Sequence, residues 1–179
     1  MGIKAMSGTR AYRRVVTGLG DNGRSTVVSD TTIPVSDVLA MVDFWCTDGV
    51  PASLTAQGEP EGHSPRLEPP RGGTIFRLFE IPAQPEGLTP SEAQRRAAQE
   101  FARAGAAHCQ IDTSRHPMMH RTRTIDYVVV LRGGVTLLLD EAEVDLQPFD
   151  AVVQRGTNHY WINRNPEPAL LLGVLLDAQ

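Results

Sequence analysis

The stretch from His120 to Asn163 constrains the fold more than any other part of the chain. It contains TIDYVVVLRGG, a strand followed by a turn, and the later strand-like segment AVVQRGTNHYWIN. Successive side chains on a strand point to opposite faces, so His120 and Asp126 share one face of the first strand. By the same parity, His159, Trp161 and Asn163 share one face of the later strand. If the two strands face each other, two imidazoles and a carboxylate meet in one interior.

Two imidazoles and one carboxylate form a ligand set for a divalent metal ion. This combination suits non-haem Fe(II), or Zn(II) with an open coordination position. The sequence therefore predicts a metal centre with His120, Asp126 and His159 as ligands. Iron is the first choice for the ion, with zinc, manganese or nickel as alternatives. In a competing interpretation, His120 and Asp126 form a hydrogen-bonded pair that holds no metal.

The same two segments resemble the paired motifs of the cupins, a superfamily of small antiparallel β-barrels of jelly-roll type. The residues that match the two motifs, in order, are His120, Thr122, Asp126 and Gly133, then Asp150, Gly156, His159 and Asn163. The resemblance covers roughly the last third of the chain. It implies an all-β cupin-type barrel.

The motif match has three departures. Thr122 stands where the family has a second His, Asp126 replaces Glu, and Phe149 and Gln154 stand where Gly and Pro are usual. The fold inference does not depend on these positions, but a full set of four metal ligands does not follow. With Thr122 in place of one ligand, the ion would keep an additional open position. That position favours a substrate that binds through two oxygens.

The constellation predicts a metal-dependent enzyme acting on a small oxygenated organic substrate. Asp126 and Thr122 are the candidate catalytic residues. The candidate substrate-binding residues are Thr122, Gln154, Trp161 and Asn163. Dioxygenase chemistry is the first expectation, and isomerisation, dehydration or decarboxylation is the second. The alternative is a non-catalytic cupin that binds a small molecule without a metal.

Two further histidines lie close to His120 in the sequence. His108 or His116 could replace the missing motif ligand. His116 has the same strand parity as His120, but Pro117 interrupts the strand and makes that parity unreliable. Whether either histidine supplies an extra ligand stays open from the sequence.

The rest of the chain reads as one domain over residues 1–179. Residues 1–105 supply N-terminal strands, a loop arm at 57–73 that contains His63, and one short helix near residues 90–104. Residues 106–179 supply the core of the barrel. Thr89, Pro90 and Glu92 form a helix-start signal with a capping box, and Gly105 ends the helix. We expect the helix to lie against the outside of the barrel or against a neighbouring subunit.

Charge and hydropathy limit the partners. A net charge of −4 gives no basic field for phosphate backbones, which argues against nucleic acid. The N-terminus lacks a signal-peptide core, and the longest apolar run, ALLLGVLL, is too short to span a membrane. Cys46 and Cys109 lie far apart, which fits a reducing compartment, so a cytoplasmic location is expected. The last run, PALLLGVLLDAQ, is apolar on both faces and predicts packing in a sandwich and across a homodimer interface.

Overall fold

The computed structural model describes residues 10–55 and 66–179, so His63 and most of the predicted loop arm lie outside the described part. The elements in chain order are β1 (Ala11–Leu19), β2 (Ser25–Pro34), β3 (Met41–Thr47), β4 (Thr74–Ile81), α1 (Pro90–Arg103), a 3-10 turn (Ala107–Cys109), β5 (Thr124–Arg132), β6 (Val135–Leu139), β7 (Glu143–Leu146), β8 (Ala151–Arg155), β9 (His159–Ile162) and β10 (Ala169–Asp177). No helix in these ranges is long and apolar enough to cross a bilayer.

Two antiparallel sheets build the barrel. The larger sheet has the strand order β3-β4-β10-β5-β8, and the smaller one has the order β7-β6-β9. One apolar core joins them, because Val128 and Leu171 of the larger sheet cluster with Leu137 and Leu146 of the smaller one. The predicted all-β barrel of antiparallel strands with one helix is confirmed.

Strand β5 shows why the sequence folds this way. Its buried side chains alternate, with Thr124, Asp126, Val128 and Val130 facing inward, while Tyr127 is exposed. The inward row is β-branched except for one carboxylate, and β-branched side chains pack well on a pleated surface. The carboxylate is therefore placed in the barrel interior by an otherwise ordinary strand.

The capping box of α1 forms as predicted. The Thr89 hydroxyl accepts the backbone N–H of Glu92, and the Glu92 carboxylate accepts the backbone N–H of Thr89 at 2.9 Å. The helix buries a narrow stripe that contains Ala97 and Phe101. This stripe packs on Leu67 and Cys109, so the helix is fixed to the barrel by an apolar contact.

An apolar row crosses the outer face of the larger sheet. Register places Trp45 beside Phe76, Phe76 beside Val174, Val174 beside Tyr127, and Tyr127 beside Val153. Phe76, Tyr127 and Val153 are 38%, 51% and 59% exposed. Contiguous apolar surface of this kind is characteristic of interaction sites.

The N-terminal hairpin β1-β2 is attached to the barrel through residues at the start of β1. Tyr12 donates a hydrogen bond to Glu80 at 2.7 Å, and Arg10 forms an ion pair with the same carboxylate at 2.9 Å. Farther along the hairpin, Val15, Val27 and Val28 are exposed. The hairpin therefore extends the barrel as a two-stranded ribbon.

The turn before β8 has the geometry of a type II turn. Asp150 donates its backbone N–H to the Gln147 carbonyl at 3.0 Å, and its carboxylate accepts the Gln147 N–H at 2.8 Å. Pro148 occupies the second position, and Phe149 occupies the third with φ of 75°. That third position requires positive φ and favours Gly. Phe149, which stands where the cupin motif has Gly, is therefore strained.

We expect Phe149→Gly to raise the free energy of unfolding by roughly 1 kcal/mol, because Gly adopts positive φ without a Cβ clash. Phe149 is 83% exposed, so loss of its ring removes little packing. Phe149→Ala is the matched control, since it removes the ring and keeps the Cβ. Urea unfolding of the three proteins measures the difference, and equal gains in both variants would contradict backbone strain.

Candidate active site

His120 and His159 lie directly opposite each other on neighbouring chain segments. The two residues form an antiparallel β-bridge. The N–H of His120 donates to the His159 carbonyl at 3.0 Å, and the N–H of His159 donates to the His120 carbonyl at 2.9 Å. Directly opposed residues project their side chains to the same side of the sheet. The ring centroids are consequently 4.4 Å apart, with the ring planes tilted by 47°.

A backbone carbonyl two residues earlier in the chain fixes the tautomer of each histidine ring. Nδ1 of His120 lies 3.0 Å from the Met118 carbonyl oxygen, and Nδ1 of His159 lies 2.9 Å from the Thr157 carbonyl oxygen. A carbonyl oxygen can only accept, so each Nδ1 carries the hydrogen. In a neutral ring Nε2 then holds the lone pair. This is the arrangement in which metal-binding histidines are usually oriented.

Burial keeps both rings neutral. The pKa of His159 is lowered to about 3, first by burial and then by the adjacent His120. Burial also lowers the pKa of His120. Neutral imidazole is the form that binds a metal ion, so the pair is in its ligating state at physiological pH.

Both rings border a cavity of about 360 Å³ inside the barrel. Its other walls include Phe79 of β4, Phe101 of α1 and Trp161 of β9. The Phe101 ring centroid lies 5.2 Å from that of His120, and Trp161 meets His159 edge-on at 6.1 Å. The cavity is mainly apolar with a few convergent polar groups, which is typical of small-molecule sites.

The helix lies outside both sheets, as expected, and it also contributes to the cavity in a way that the sequence interpretation did not predict. Glu100 and Phe101 line the cavity. Phe101 belongs to the apolar stripe that packs on Leu67 and Cys109. Leu67, from within the predicted loop arm, is another lining residue that no sequence pattern indicated.

Asp126 opens into the same cavity as the two histidines. It is 7% exposed, and its Oδ1 atom has no hydrogen-bond partner within the described ranges. Burial raises its pKa to about 6, while a hydrogen bond from Thr124 and the charge of Arg77 act in the opposite direction. The Thr122 and Thr124 hydroxyls are 2.7 Å apart, and Thr122 lines the cavity. A chain of polar groups therefore runs from Thr122 to Asp126.

The predicted ligands are not equally close. Across residues 10–55 and 66–179, one His/Cys/Asp/Glu group has all its ligand atoms within 4.8 Å of one another, and it consists of Glu68, His108 and Cys109. His120, Asp126 and His159 do not form such a group. The structure brings the two imidazoles together, and it places the carboxylate in the same cavity at a larger distance.

Two predicted substrate-binding residues bind protein groups instead of lining the cavity. The Gln154 amide donates to the Thr157 carbonyl at 3.2 Å and to the Thr157 hydroxyl. The Asn163 amide donates to the carbonyls of Ile81 and Glu167 at 2.9 and 2.8 Å. Gln154 thus supports the carbonyl that orients His159.

His116 and His108 occupy positions away from the pair. The His116 ring stacks on Tyr160 with centroids 4.2 Å apart, and its Nδ1 accepts the Met118 N–H at 3.1 Å. His116 does not line the cavity. His108 instead lies 2.8 Å from a Glu68 oxygen.

Comparison with known proteins gives short but clear sequence matches. The chain is 55% identical over 49 residues to phomopsin biosynthesis cluster protein C' of Diaporthe leptostromiformis, covering 27% of this chain and 26% of that protein. It is 41% identical over 64 residues to a cupin-domain-containing oxidoreductase of Aspergillus ruber, covering 34% and 32%. The chain therefore matches about a third or less of the length of these relatives. No family model matches.

Among solved structures, the chain is similar to a cupin 2 conserved barrel domain protein from Salinispora arenicola, with a TM-score of 0.41, 12% identity and 81% of each chain covered. The antiparallel barrel and the likeness of part of the chain to cupin-domain-containing oxidoreductases agree with the resemblance to the cupins. The resemblance seen in the two sequence motifs is thereby confirmed.

We expect Asp126→Asn to stabilise the metal-free protein at pH 8. The pKa of about 6 in the folded state exceeds the unfolded value of about 3.9, so ionisation opposes folding above pH 6. The amide removes that penalty, and a gain of about 3 kcal/mol follows from the size of the shift. The gain disappears as the pH falls below about 4, where the carboxyl is neutral in both states.

Urea unfolding of chelator-treated protein at pH 8 and pH 4 measures this effect. Asp48→Asn, at an exposed turn residue, is the control and should leave the unfolding curve unchanged at both pH values. Destabilisation of the Asp126 variant at pH 8 would contradict the assigned ionisation.

Proposed function

We propose that this protein is a metal-dependent cupin enzyme that acts on a small oxygenated organic substrate in the barrel cavity. The observation that carries the proposal is the histidine pair. Two adjacent imidazoles, of which His159 is buried and His120 partly buried, are held neutral, and each presents a lone pair on Nε2 while its Nδ1 is bound to a backbone carbonyl. Such a pair has a desolvation cost that metal binding would offset.

The donor set fits a divalent ion. His120 and His159 would hold it, and Asp126 remains the proposed third ligand because its buried Oδ1 lacks a partner in the same cavity. Since the carboxylate is not part of a compact trio, ligation through an intervening water is included in this proposal. Bound iron would supply dioxygen activation, whereas zinc, manganese or nickel would polarise a substrate oxygen.

The residues of the chain supply binding and proton transfer. Phe79, Phe101 and Trp161 surround the carbon skeleton of the substrate and exclude water. Asp126, with its pKa near 6, can accept a proton from the substrate close to neutral pH and return it later. Thr122 faces the cavity and orients a substrate oxygen through its hydroxyl, which Thr124 holds in place.

Dioxygenase chemistry is our first choice of reaction. The name of the Aspergillus ruber relative, a cupin-domain-containing oxidoreductase, supports a redox reaction for this chain as well. Isomerisation, dehydration or decarboxylation is the second choice. Metal identity separates them: iron together with oxygen consumption supports the first, and activity with zinc or manganese under anaerobic conditions supports the second.

We expect His120→Ala and His159→Ala each to weaken metal binding at least tenfold, in line with losses seen when metal sites are perturbed. Elemental analysis of purified protein and titration of chelator-treated protein measure this. His116→Ala is the matched control, because its ring is close in sequence but lies outside the cavity. Unchanged metal content in both cavity variants would overturn the proposed centre.

Asp126→Ala separates the two roles given to the carboxylate. Reduced metal content assigns Asp126 to the ligand set. Wild-type metal content removes Asp126 from the ligand set and leaves it as the proton acceptor.

The competing function is a non-catalytic cupin that binds a small molecule without metal. The specific observation in its favour is that the three predicted ligands do not form a compact group. This alternative requires ligand binding that survives both chelation and His159→Ala, whereas the metal-dependent enzyme requires its loss.

We further propose a homodimer in the cytoplasm with a small molecule, and not nucleic acid, as the ligand. The apolar row on the larger sheet supports self-association, the net charge of −4 is unfavourable for nucleic acid, and two free thiols suit a reducing compartment. The row would be covered by the same face of a second copy, since two-fold interfaces are self-complementary.

We expect Val153→Glu to convert the dimer to a monomer, because it places a charge on the apolar row that forms the proposed interface. Light scattering after size-exclusion chromatography measures the mass against the 19.5 kDa of one chain. Val144→Glu is the control, since Val144 is 45% exposed on the smaller sheet, away from this row. A monomeric wild-type protein would refute the homodimer.

A further inference from the structure

We propose a second divalent metal site, separate from the histidine pair in the cavity, formed by Glu68, His108 and Cys109. The Nε2 atom of His108 lies 2.8 Å from Oε2 of Glu68 and 3.5 Å from Sγ of Cys109. All three ligand atoms lie within 4.8 Å of one another. Of the side chains described by the structure, these are the ones that form a compact group of this kind.

The ligand chemistry favours zinc. A thiolate, an imidazole and a carboxylate form a mixed set of borderline softness, which Zn(II) accepts in tetrahedral geometry. With metal-ligand bonds of about 2.0–2.3 Å, tetrahedral ligand atoms lie roughly 3.3–3.6 Å apart. The His108–Glu68 separation of 2.8 Å is shorter than this range, the His108–Cys109 separation of 3.5 Å lies within it, and the Glu68–Cys109 separation is below 4.8 Å. Side-chain movements that widen the His108–Glu68 contact would therefore admit an ion.

Two of the ligands are held in place by the backbone. Oε1 of Glu68 accepts the Arg123 N–H at 2.9 Å, which leaves Oε2 directed at His108. The Cys109 carbonyl accepts the Arg121 N–H at 2.8 Å, and the Cys109 side chain is buried. Outer contacts of this type orient metal ligands. The His108 side chain is 66% exposed, so the fourth position faces solvent.

An ion pair between His108 and Glu68 does not account for the position of the Cys109 thiol beside both side chains. His108 presents one ring nitrogen to both an oxygen and a sulfur. One nitrogen can donate a single hydrogen, and the carboxylate is the stronger acceptor. The thiol must then share the same Glu68 carboxylate with His108. A zinc ion would satisfy all three groups together after displacing the thiol proton to solvent.

The position of this site gives it a structural role. Glu68 follows Leu67, which lines the cavity, and Arg77 donates to the carbonyls of Arg66 and Leu67 from the adjacent strand. An ion would tie this segment to the 3-10 turn and to the residues that precede β5. The second metal would therefore stabilise a wall of the cavity without contacting its contents.

Cobalt substitution distinguishes the two sites. Only a cysteine ligand produces the near-ultraviolet thiolate-to-Co(II) charge-transfer band, and the proposed cavity ligands are nitrogen and oxygen atoms. We expect wild-type protein with added Co(II) to show the band, and Cys109→Ser to lose it. Cys46→Ser is the matched control and should keep the band, because Cys46 belongs to β3.

His159→Ala separates this inference from the proposed function. It should lose the cavity metal while keeping the thiolate band, so the failure of one site leaves the other intact. His108→Ala provides a variant at an exposed position that should fold normally. We expect it to bind Zn(II) at least tenfold more weakly in competition with a chromophoric chelator, with circular dichroism as the check on folding.

Three results would overturn the site. The first is the absence of a thiolate band in wild-type protein at saturating Co(II). The second is a band that persists in folded Cys109→Ser or disappears in Cys46→Ser. The third is unchanged Zn(II) affinity in the thiolate site of His108→Ala.

Discussion

The reciprocal pair of backbone hydrogen bonds between His120 and His159 is the contact on which the site depends. It joins the segment that enters the larger sheet to a strand of the smaller one. Backbone pairing alone places both imidazoles on the same side of the sheet, and neighbouring carbonyls orient the rings. The side chains around the rings then only need to exclude water from them. The geometry of the pair is therefore a property of the barrel, and it does not require a network of polar side chains around the rings.

Strand parity and motif spacing were sufficient to predict much of this arrangement. The inward face of β5, the capping box of α1 and the barrel class all follow from local patterns that depend on few neighbours. The closeness of His120 and His159 depended on an additional condition, that their strands pair in register. Sequence spacing cannot fix that register, because it is set by turns and bulges elsewhere in the sheets.

The remaining parts of the site could not be predicted because they depend on packing between distant segments. Phe101 and Leu67 line the cavity and pack on each other, and the backbone of Leu67 is in turn held by Arg77 of β4. Gln154 and Asn163 have the parity expected of substrate ligands, yet nearby carbonyls compete for their amides. Strand parity determines the face to which a side chain points, whereas its hydrogen-bond partner depends on which acceptor lies closest.

Because part of the cavity wall is helical, the shape of the cavity can vary without a change in the two sheets. The histidines are positioned by β-structure, while part of the space in front of them is bounded by α1, a separately capped segment outside both sheets. Replacing Phe101 by a smaller or polar side chain would reshape the chamber beside His120 and leave the backbone pairing of His120 and His159 in place. Part of the cavity wall and the backbone pairing of the histidines thus belong to different elements of the fold, so the shape of the cavity can change by substitution in the helix while that pairing is kept.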